Sequence, residues 1–361
     1  MMVINEYFQY CSFVLIEYVV SLKKKQKYIE LDSWNFLIID LEGDAEDAKN
    51  LFQCITNSIN QLLNDKKQKI YFSIAAGAIE LSKEFYSYDR VLECLNFSLN
   101  RAEGFNGNKF YLFDMQHYIR LKRKEEILKH IYWAINHDFE GFELYYQPII
   151  DINTKSIITL AALLRLKMKD EYIQPKEFIS LLEQTHLILP VGRWVLKTAM
   201  ESWKELQQLI PGLKMNVNMS FVQVNQNNSV QMIIDIIKEI DTTLLGIEIT
   251  ETGELNSNQY YNFCIGLEKG KRALILDDYG SGFSNVHRLT AAKPQYIKID
   301  HSFTKHIIKS DYYRKILKNT ITDVIKSLGA DYMQGCLFAR PMDKHSFIKN
   351  HKRMSENFLN N

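Results

Sequence analysis

The sequence predicts two domains, the larger an α/β fold built as a TIM-like (β/α) barrel. From about Leu144 onward, short apolar runs with strand character alternate with longer helical segments. Repeated strand–helix units favour a parallel sheet, most simply a closed barrel. A chain of 361 residues, 46% hydrophobic and 24% charged, is long enough for this barrel and a second, smaller domain.

The barrel elements follow from apolar runs and helical periodicity. Seven strands are found where a complete barrel has eight, so one strand–helix unit is missing. The predicted strands are Leu144–Ile150, Ile157–Leu166, Lys214–Met219, Gly246–Thr250, Ala273–Asp277, Tyr296–Ile299 and Asp331–Leu337. The predicted helices lie near residues 175–186, 192–209, 228–239, 256–269 and 311–328.

The first part of the chain predicts a compact α+β module followed by a charged helix. The run Arg120–Lys129 is typical of a solvated linker helix. We place the module at 1–115, the linker helix at 116–139, the barrel at 140–352 and a C-terminal tail at 353–361. The elements predicted within the module are a helix to about Lys25, strands at Phe36–Ile39, Lys69–Ser73 and Phe110–Phe113, and helices at Ala45–Leu63 and Tyr88–Ala102.

Composition excludes several classes of protein. Lys and Arg number 44 against 43 Asp and Glu, so the net charge of +1 creates no overall field that attracts nucleic acid. The five cysteines are scattered without metal-type spacing, which indicates free thiols and a cytoplasmic location. The apolar stretch Tyr7–Leu22 is interrupted by Gln9 and Glu17, so it predicts an amphipathic helix and no membrane span.

Polar side chains recur where the predicted strands end. Asp277 and Asp278 close one apolar strand, and Asn218, Glu248 and Lys298 lie at or near the ends of others. In a barrel these ends converge on one face, where carboxylate and amide oxygens beside a lysine suit Mg²⁺ or Mn²⁺ and a phosphate ester. One alternative stays open, because Asp277 and Asp278 can equally cap the following helix.

Short motifs in a fixed order connect the chain to known families. Seven of them are Tyr146–Ile149, Ala162–Arg165, Val217–Ser220, Glu248–Glu251, Asp277–Ser284, Lys298–Asp300 and Gln334–Pro341. Through them, residues 140–350 resemble the EAL-domain family of cyclic di-GMP phosphodiesterases and their inactive relatives. Three earlier segments resemble a shortened, degenerate GGDEF domain without its usual first strand: Asp32–Phe36, Ser73–Gly77 and Leu99–Asn108.

The EAL resemblance implies a role for each matching residue. Asn218, Glu248 and Asp277 would be metal ligands with Asp278 beside them, and Mg²⁺ or Mn²⁺ would be the cofactor. Lys298 would help to activate the attacking water, and Glu251 would brace the loop after Asp278. Arg165 would pair with a ligand phosphate. The dinucleotide's path would be lined by Gln147, Leu163, Gln334, Arg340 and Pro341. The implied reaction is attack of metal-activated water on one phosphodiester, which gives linear pGpG.

Two departures from the family pattern argue against hydrolysis. The Glu that names the family, a metal ligand, is expected where this chain has Ala161, and a methyl group cannot coordinate a cation. The chain also passes from the helix ending at Gly329 almost directly into Gln334, without the strand that carries another ligand carboxylate. We therefore expect weak metal binding and no meaningful turnover.

Three functions follow from these observations. The first is a catalytically degenerate GGDEF–EAL protein that acts as a cyclic di-GMP receptor or signalling scaffold. The second is a protein-interaction module that no longer binds the nucleotide, with a protein partner or a second copy covering the unpaired edges of a shortened barrel. The third is an active phosphodiesterase in which another carboxylate, such as Glu251 or Asp300, replaces the missing ligands.

Overall fold

A computed structural model shows the fold as two compact units, Met1–Arg123 and Lys124–Asn361. No helix among the described residues is both long enough and apolar enough to cross a bilayer. The structure describes residues 2–6, 26–31, 35–40, 42–65, 73–81, 87–103, 108–226, 228–237, 244–250, 257–270, 272–279, 294–299, 331–335 and 339–359.

The first unit is a five-stranded sheet with a helix on each face. The sheet order is β2-β3-β1-β4-β5, and all neighbours are antiparallel except β4 and β5. Its elements are β1 (Met2–Glu6), β2 (Gln26–Glu30), β3 (Asn35–Asp40), α1 (Ala45–Asp65), β4 (Ile74–Ala78), α2 (Tyr88–Glu103), β5 (Lys109–Leu112) and the start of α3 (Met115–Asn136).

Alternating residues of β3 form the two apolar layers of this unit. Phe36 and Ile38 pack with one face of α1, while Leu37 faces the layer formed by α2. Helix α2 approaches β4 closely at Gly77, where a Cβ would lie 2.3 Å from the backbone nitrogen of Leu99. Only glycine allows this contact, because the obstructing atom belongs to the backbone.

The described residues of the first unit differ from the prediction at two strands near the start of the chain. Residues 2–6 form strand β1, which lies between β3 and β4 in the sheet, and not the start of a helix. Strand β2 was not predicted. Strand β4 occupies Ile74–Ala78, whereas most of the strand predicted at Lys69–Ser73 lies outside the described residues, as do residues 7–25 of the helix predicted at the start of the chain. Pairing on both edges stabilises β1, and sequence propensity does not report that contribution.

The second unit is a curled half-barrel sheet flanked by helices. Its elements are β6 (Phe142–Asp151), β7 (Ile157–Met168), β8 (Glu171–Ile173), α4 (Pro175–Gln184), α5 (Ile188–Leu209), β9 (Lys214–Asn218), α6 (Phe221–Val224), α7 (Ser229–Ile237), β10 (Leu245–Thr250), α8 (Ser257–Lys269), β11 (Ala273–Tyr279), β12 (Tyr296–Ile299), β13 (Tyr332–Gln334), β14 (Met342–Asp343) and α9 (Lys344–Leu359).

The main path of this sheet runs β12-β11-β10-β9-β7-β6-β13. Strands β7 and β9 to β12 are parallel, as predicted, whereas β6 is antiparallel to both of its neighbours. The two end strands are not paired within the described residues, so the predicted closed barrel is not observed there. The sheet is nevertheless strongly curled. Its curvature brings the ring centres of Tyr296 on β12 and Tyr332 on β13 to within 5.5 Å of each other.

The turn between β6 and β7 explains why β6 is reversed. Oδ1 of Asp151 accepts hydrogen bonds of 2.8 Å from the backbone nitrogens of Asn153 and Thr154, and Lys155 adopts a φ of 53°. A connection of this length permits only an antiparallel hairpin, since parallel strands need a crossover of a dozen or more residues. The prediction of a wholly parallel sheet was therefore wrong at β6.

The C-terminal segment forms helix α9, which continues into the tail predicted at 353–361. Helix α9 begins after Asp343, whose Oδ1 accepts a 2.8 Å hydrogen bond from the backbone nitrogen of Ser346. Phe347 on this helix is fully buried in the core of the second unit. The helix predicted at 311–328 lies outside the described residues, whereas those near 175–186, 192–209, 228–239 and 256–269 are confirmed.

Candidate functional site

Four neighbouring parallel strands bring polar side chains to one edge of the sheet. The register of β9, β10 and β11 places Asn218 beside Glu248 and Thr250 beside Asp277. From β12, Lys298 reaches two of these carboxylates: its Nζ is 2.9 Å from Oε2 of Glu248 and 3.0 Å from Oδ2 of Asp277. Three of the predicted site residues thus form one ion-paired group, which we name the Lys298 cluster.

Burial differs among the members of the Lys298 cluster. The side chain of Glu248 has no exposed area, whereas those of Asp277 and Lys298 are 18% and 25% exposed. A buried carboxylate is costly unless it is paired and hydrogen-bonded. Burial acts to lower the pKa of Lys298, but attraction by Glu248 and Asp277 outweighs it and raises that pKa above its ordinary value. The cluster therefore contains a charged ammonium.

Asn216 completes the environment of Glu248, and the sequence prediction missed it. Its Nδ2 donates a 2.9 Å hydrogen bond to Oε1 of Glu248. Gly246 on β10 makes room for this amide, because a Cβ there would lie 2.4 Å from Oδ1 of Asn216 and 2.6 Å from Cδ1 of Ile275. The signal was present in the sequence, since alternation along β9 places Asn216 on the same face as Asn218.

A pair of glutamines forms another side of the candidate site. Nε2 of Gln147 donates to the backbone oxygen of Ala339 at 3.0 Å, and Oε1 of Gln147 accepts from Nε2 of Gln334 at 3.0 Å. Gln147 is buried, and both ends of its amide group are hydrogen-bonded. Oε1 of Gln334 is buried and has no hydrogen-bond partner among the described residues. An acceptor in this state is suited to a ligand N–H group.

Arg165 lies on β7, half-buried and held from two directions. Its Nη1 donates to the backbone oxygen of Leu164 at 2.9 Å, and its guanidinium carbon lies 5.4 Å from the centre of the Tyr145 ring. Burial lowers the pKa of Arg165, although Tyr145 opposes this shift. A partly desolvated guanidinium that keeps further N–H donors is suited to an anionic ligand.

The structure describes the side chains of four of the remaining predicted residues. Asn218 and Arg340 are exposed, and Leu163 and Pro341 are half-buried. Asp278 belongs to β11, and Glu251 lies outside the described residues.

The residues around the Lys298 cluster do not fit the divalent metal centre that the family resemblance implies. Ala161 is fully buried, and the strand register aligns it with Gln147 on one side and Asn216 on the other, so a methyl group stands where the resemblance implies a ligand. Both oxygens of Glu248 already accept hydrogen bonds. The part of the chain that the structure describes contains no group of three or more His, Cys, Asp or Glu placed to hold a metal.

Comparison with known proteins gives the family of the chain. A sequence profile described as the EAL domain matches residues 134–330, which is more than half of the chain. The chain belongs to the EAL-domain family. This membership confirms the resemblance predicted from the seven motifs, whereas no comparison shows the preceding GGDEF domain.

Relatives of this EAL protein include proteins named as phosphodiesterases. The probable cyclic di-GMP phosphodiesterase PdeI of Escherichia coli is 31% identical over 64% of this chain and 33% of its own length. The cyclic di-GMP phosphodiesterase PA2567 of Pseudomonas aeruginosa is 28% identical over 50% of this chain and 32% of its own length. The chain thus spans about a third of the length of these curated relatives.

Solved structures support the EAL-type fold of the chain. The "PaMucR Phosphodiesterase, c-di-GMP complex" aligns with a TM-score of 0.54 at 22% identity, covering 61% of this chain and 99% of that chain. The EAL enzyme Bd1971, in a form with cAMP and cyclic di-GMP bound, aligns with a TM-score of 0.56 at 20% identity, covering 88% and 81%. At these identities the likeness concerns the fold alone.

Proposed function

We propose that this EAL protein is a cytoplasmic receptor for cyclic di-GMP that does not hydrolyse it. The observation that carries the proposal is the buried Ala161, which is paired with Asn216 in the register of β7 and β9. The family resemblance implies a ligand carboxylate at this position. Hydrolysis requires a metal-activated water, and a site with a methyl group at this position lacks one of the ligands that would hold the metal. The first unit, as a degenerate GGDEF domain, would have a structural or regulatory role.

Two features support retained nucleotide binding. Arg165 offers a partly desolvated guanidinium whose fork geometry matches two phosphate oxygens, and the Tyr145 ring supports it from one side. The buried Oε1 of Gln334 has no partner, and a guanine N–H would satisfy it. Relatives named as cyclic di-GMP phosphodiesterases favour this nucleotide over other phosphate esters.

Titration of the purified chain with cyclic di-GMP, with and without Mg²⁺, tests this proposal. We expect saturable binding that Arg165→Ala weakens by about 10- to 100-fold, because a hydrogen bond to a charged group contributes about 1.5–3 kcal/mol. Arg353→Ala, on the exposed surface of α9, is the matched control and should leave the affinity unchanged.

Two results would contradict the proposed function. Release of pGpG in the presence of Mn²⁺, at a rate abolished by Lys298→Ala, would show an active phosphodiesterase and refute the loss of catalysis. Absence of binding at high micromolar nucleotide would refute the receptor and leave the second function, a protein-interaction module.

A groove on the helical side of the second unit favours that second function. The groove encloses about 770 Å³, and Phe139, Trp194 and Met232 are among the residues that line it. The rings of Phe139 and Trp194 stack with centres 5.7 Å apart. Phe139 has a φ of 62°, which is strained for a non-glycine residue and is maintained by the surrounding contacts.

The charges around this groove fit a second copy of the chain. Arg193 and Lys197 on α5 supply positive charge, and Asp138 and Asp235 supply negative charge. A surface with both signs around an apolar centre is complementary to itself under twofold symmetry. Sedimentation should then show that R193E/K197E and D138K/D235K are each monomeric and that their mixture forms a dimer. A monomeric wild type would contradict this alternative.

A further inference from the structure

The Lys298 cluster contains its own cation. A single ammonium lies within 3.0 Å of oxygens from two carboxylates, one of which, on Glu248, has no exposed area. Removing a carboxylate from water costs several kcal/mol unless an opposite charge and hydrogen bonds compensate it. Here Lys298 supplies the charge to Oε2 of Glu248, and Asn216 supplies the hydrogen bond to Oε1.

A divalent cation in this position would compete with Lys298. Mg²⁺ requires about six oxygen ligands at about 2.0–2.1 Å. Glu248 has both oxygens engaged, Asp277 already pairs with the ammonium, and Ala161 offers no oxygen. A metal ion would therefore either displace the ammonium from its carboxylate partners or be repelled by its positive charge. Both outcomes weaken metal binding.

We infer that the ammonium of Lys298 is the resident cation of this site and replaces a divalent metal as the counter-ion of the buried Glu248 and the half-buried Asp277. The inference deepens the proposed function, because a receptor with an internal cation keeps its site assembled without Mg²⁺ or Mn²⁺. It concerns the folded protein itself, so it can be tested without nucleotide.

The substitution Lys298→Met separates the charge of this residue from its packing. Methionine is unbranched and fills a similar space without a charge. The variant removes the ammonium that pairs with both Glu248 and Asp277, so its stability should fall. The same change should create affinity for a divalent cation. The oxygens of Glu248, Asp277 and Asn216 would then lie together without the positive charge of the ammonium, which repels a metal ion.

The experiment compares thermal unfolding of the full chain in EDTA and in millimolar MnCl₂. We expect Mn²⁺ to leave the wild-type Tm unchanged and to raise that of Lys298→Met by about 3–6 °C, since a ligand that binds only the folded state stabilises it. Lys176→Met, an exposed lysine on α4, is the matched control and should resemble the wild type. Lys298→Arg keeps the positive charge, so Mn²⁺ should leave its Tm unchanged as well.

A second measurement covers the case in which Lys298→Met does not fold. Electron paramagnetic resonance of Mn²⁺ titrated into the wild type should show only the free ion. Stoichiometric loss of that signal, or a clear rise of the wild-type Tm with Mn²⁺, would overturn the inference. Neither measurement contains cyclic di-GMP, so failure of the receptor proposal and failure of this inference are separately visible.

Discussion

Gly246→Ala should disrupt the candidate site through Asn216. The added Cβ would lie 2.4 Å from Oδ1 of Asn216 and 2.6 Å from Cδ1 of Ile275, so both side chains must move. Overpacking of this kind costs about 1–3 kcal/mol. Displacing Asn216 also removes its 2.9 Å hydrogen bond to Glu248, and a bond to a charged group contributes about 1.5–3 kcal/mol. Alanine's better strand propensity offsets at most about 1 kcal/mol. We expect a net loss of about 2–5 kcal/mol.

Urea unfolding followed by tryptophan fluorescence measures this loss. Three of the four tryptophans belong to the second unit, so the signal reports mainly on that unit. Asn216→Ala removes the side chain with which the added Cβ of Gly246→Ala would clash. The double variant should therefore be more stable than the sum of the two single effects predicts. Additivity within about 0.5 kcal/mol would refute the claim that Gly246 serves to accommodate Asn216.

Two further substitutions test the contacts of each unit. A hydrogen bond from Tyr118 is the main cause that lowers the pKa of Glu93 from 4.5 to about 2, so the stabilisation exists above pH 4.5 and is lost as the pH falls towards 2. Circular dichroism melts should show that Glu93→Gln is slightly less stable than the wild type at pH 6 and as stable as the wild type near pH 2. The difference is small because the side chain of Glu93 is 44% exposed and solvent screens its interactions. An equal difference at both pH values would contradict this assignment. Trp203→Phe removes the 2.7 Å hydrogen bond to the buried oxygen of Leu213 and should cost about 2–4 kcal/mol in urea unfolding, whereas Trp133→Phe, at a surface residue, should cost under about 1 kcal/mol. Equal costs would contradict a structural role for the Trp203 bond.

The central strands of the second unit could be predicted closely from sequence. The strands predicted at Lys214–Met219 and Ala273–Asp277 occur at Lys214–Asn218 and Ala273–Tyr279. Parallel strands covered on both faces consist of nearly continuous apolar residues, and that pattern is visible without a structure. The same pattern places polar residues at the strand ends, which is why Glu248, Asp277 and Lys298 could be selected in advance.

Features that depend on long-range pairing could not be predicted. Strand β1 is stabilised by neighbours that are distant in sequence, and the direction of β6 depends on the Asx turn at Asp151. The prediction also treated Lys298 as a catalytic residue beside a metal centre. Its 2.9 Å and 3.0 Å contacts with two carboxylates depend on side-chain geometry across three strands, which spacing along the chain does not specify.

The hairpin of β6 and β7 has a consequence for the order of folding. Its strands are joined by a tight turn, whereas each parallel pair among β9 to β12 brings together segments separated by a longer stretch of chain. Closing a short loop loses less chain entropy than closing a long one, so local pairs form early. Pulsed hydrogen exchange during refolding should therefore protect Tyr146 before Ile247. Strand β6, which runs against its neighbours, would then be the template on which the parallel strands assemble.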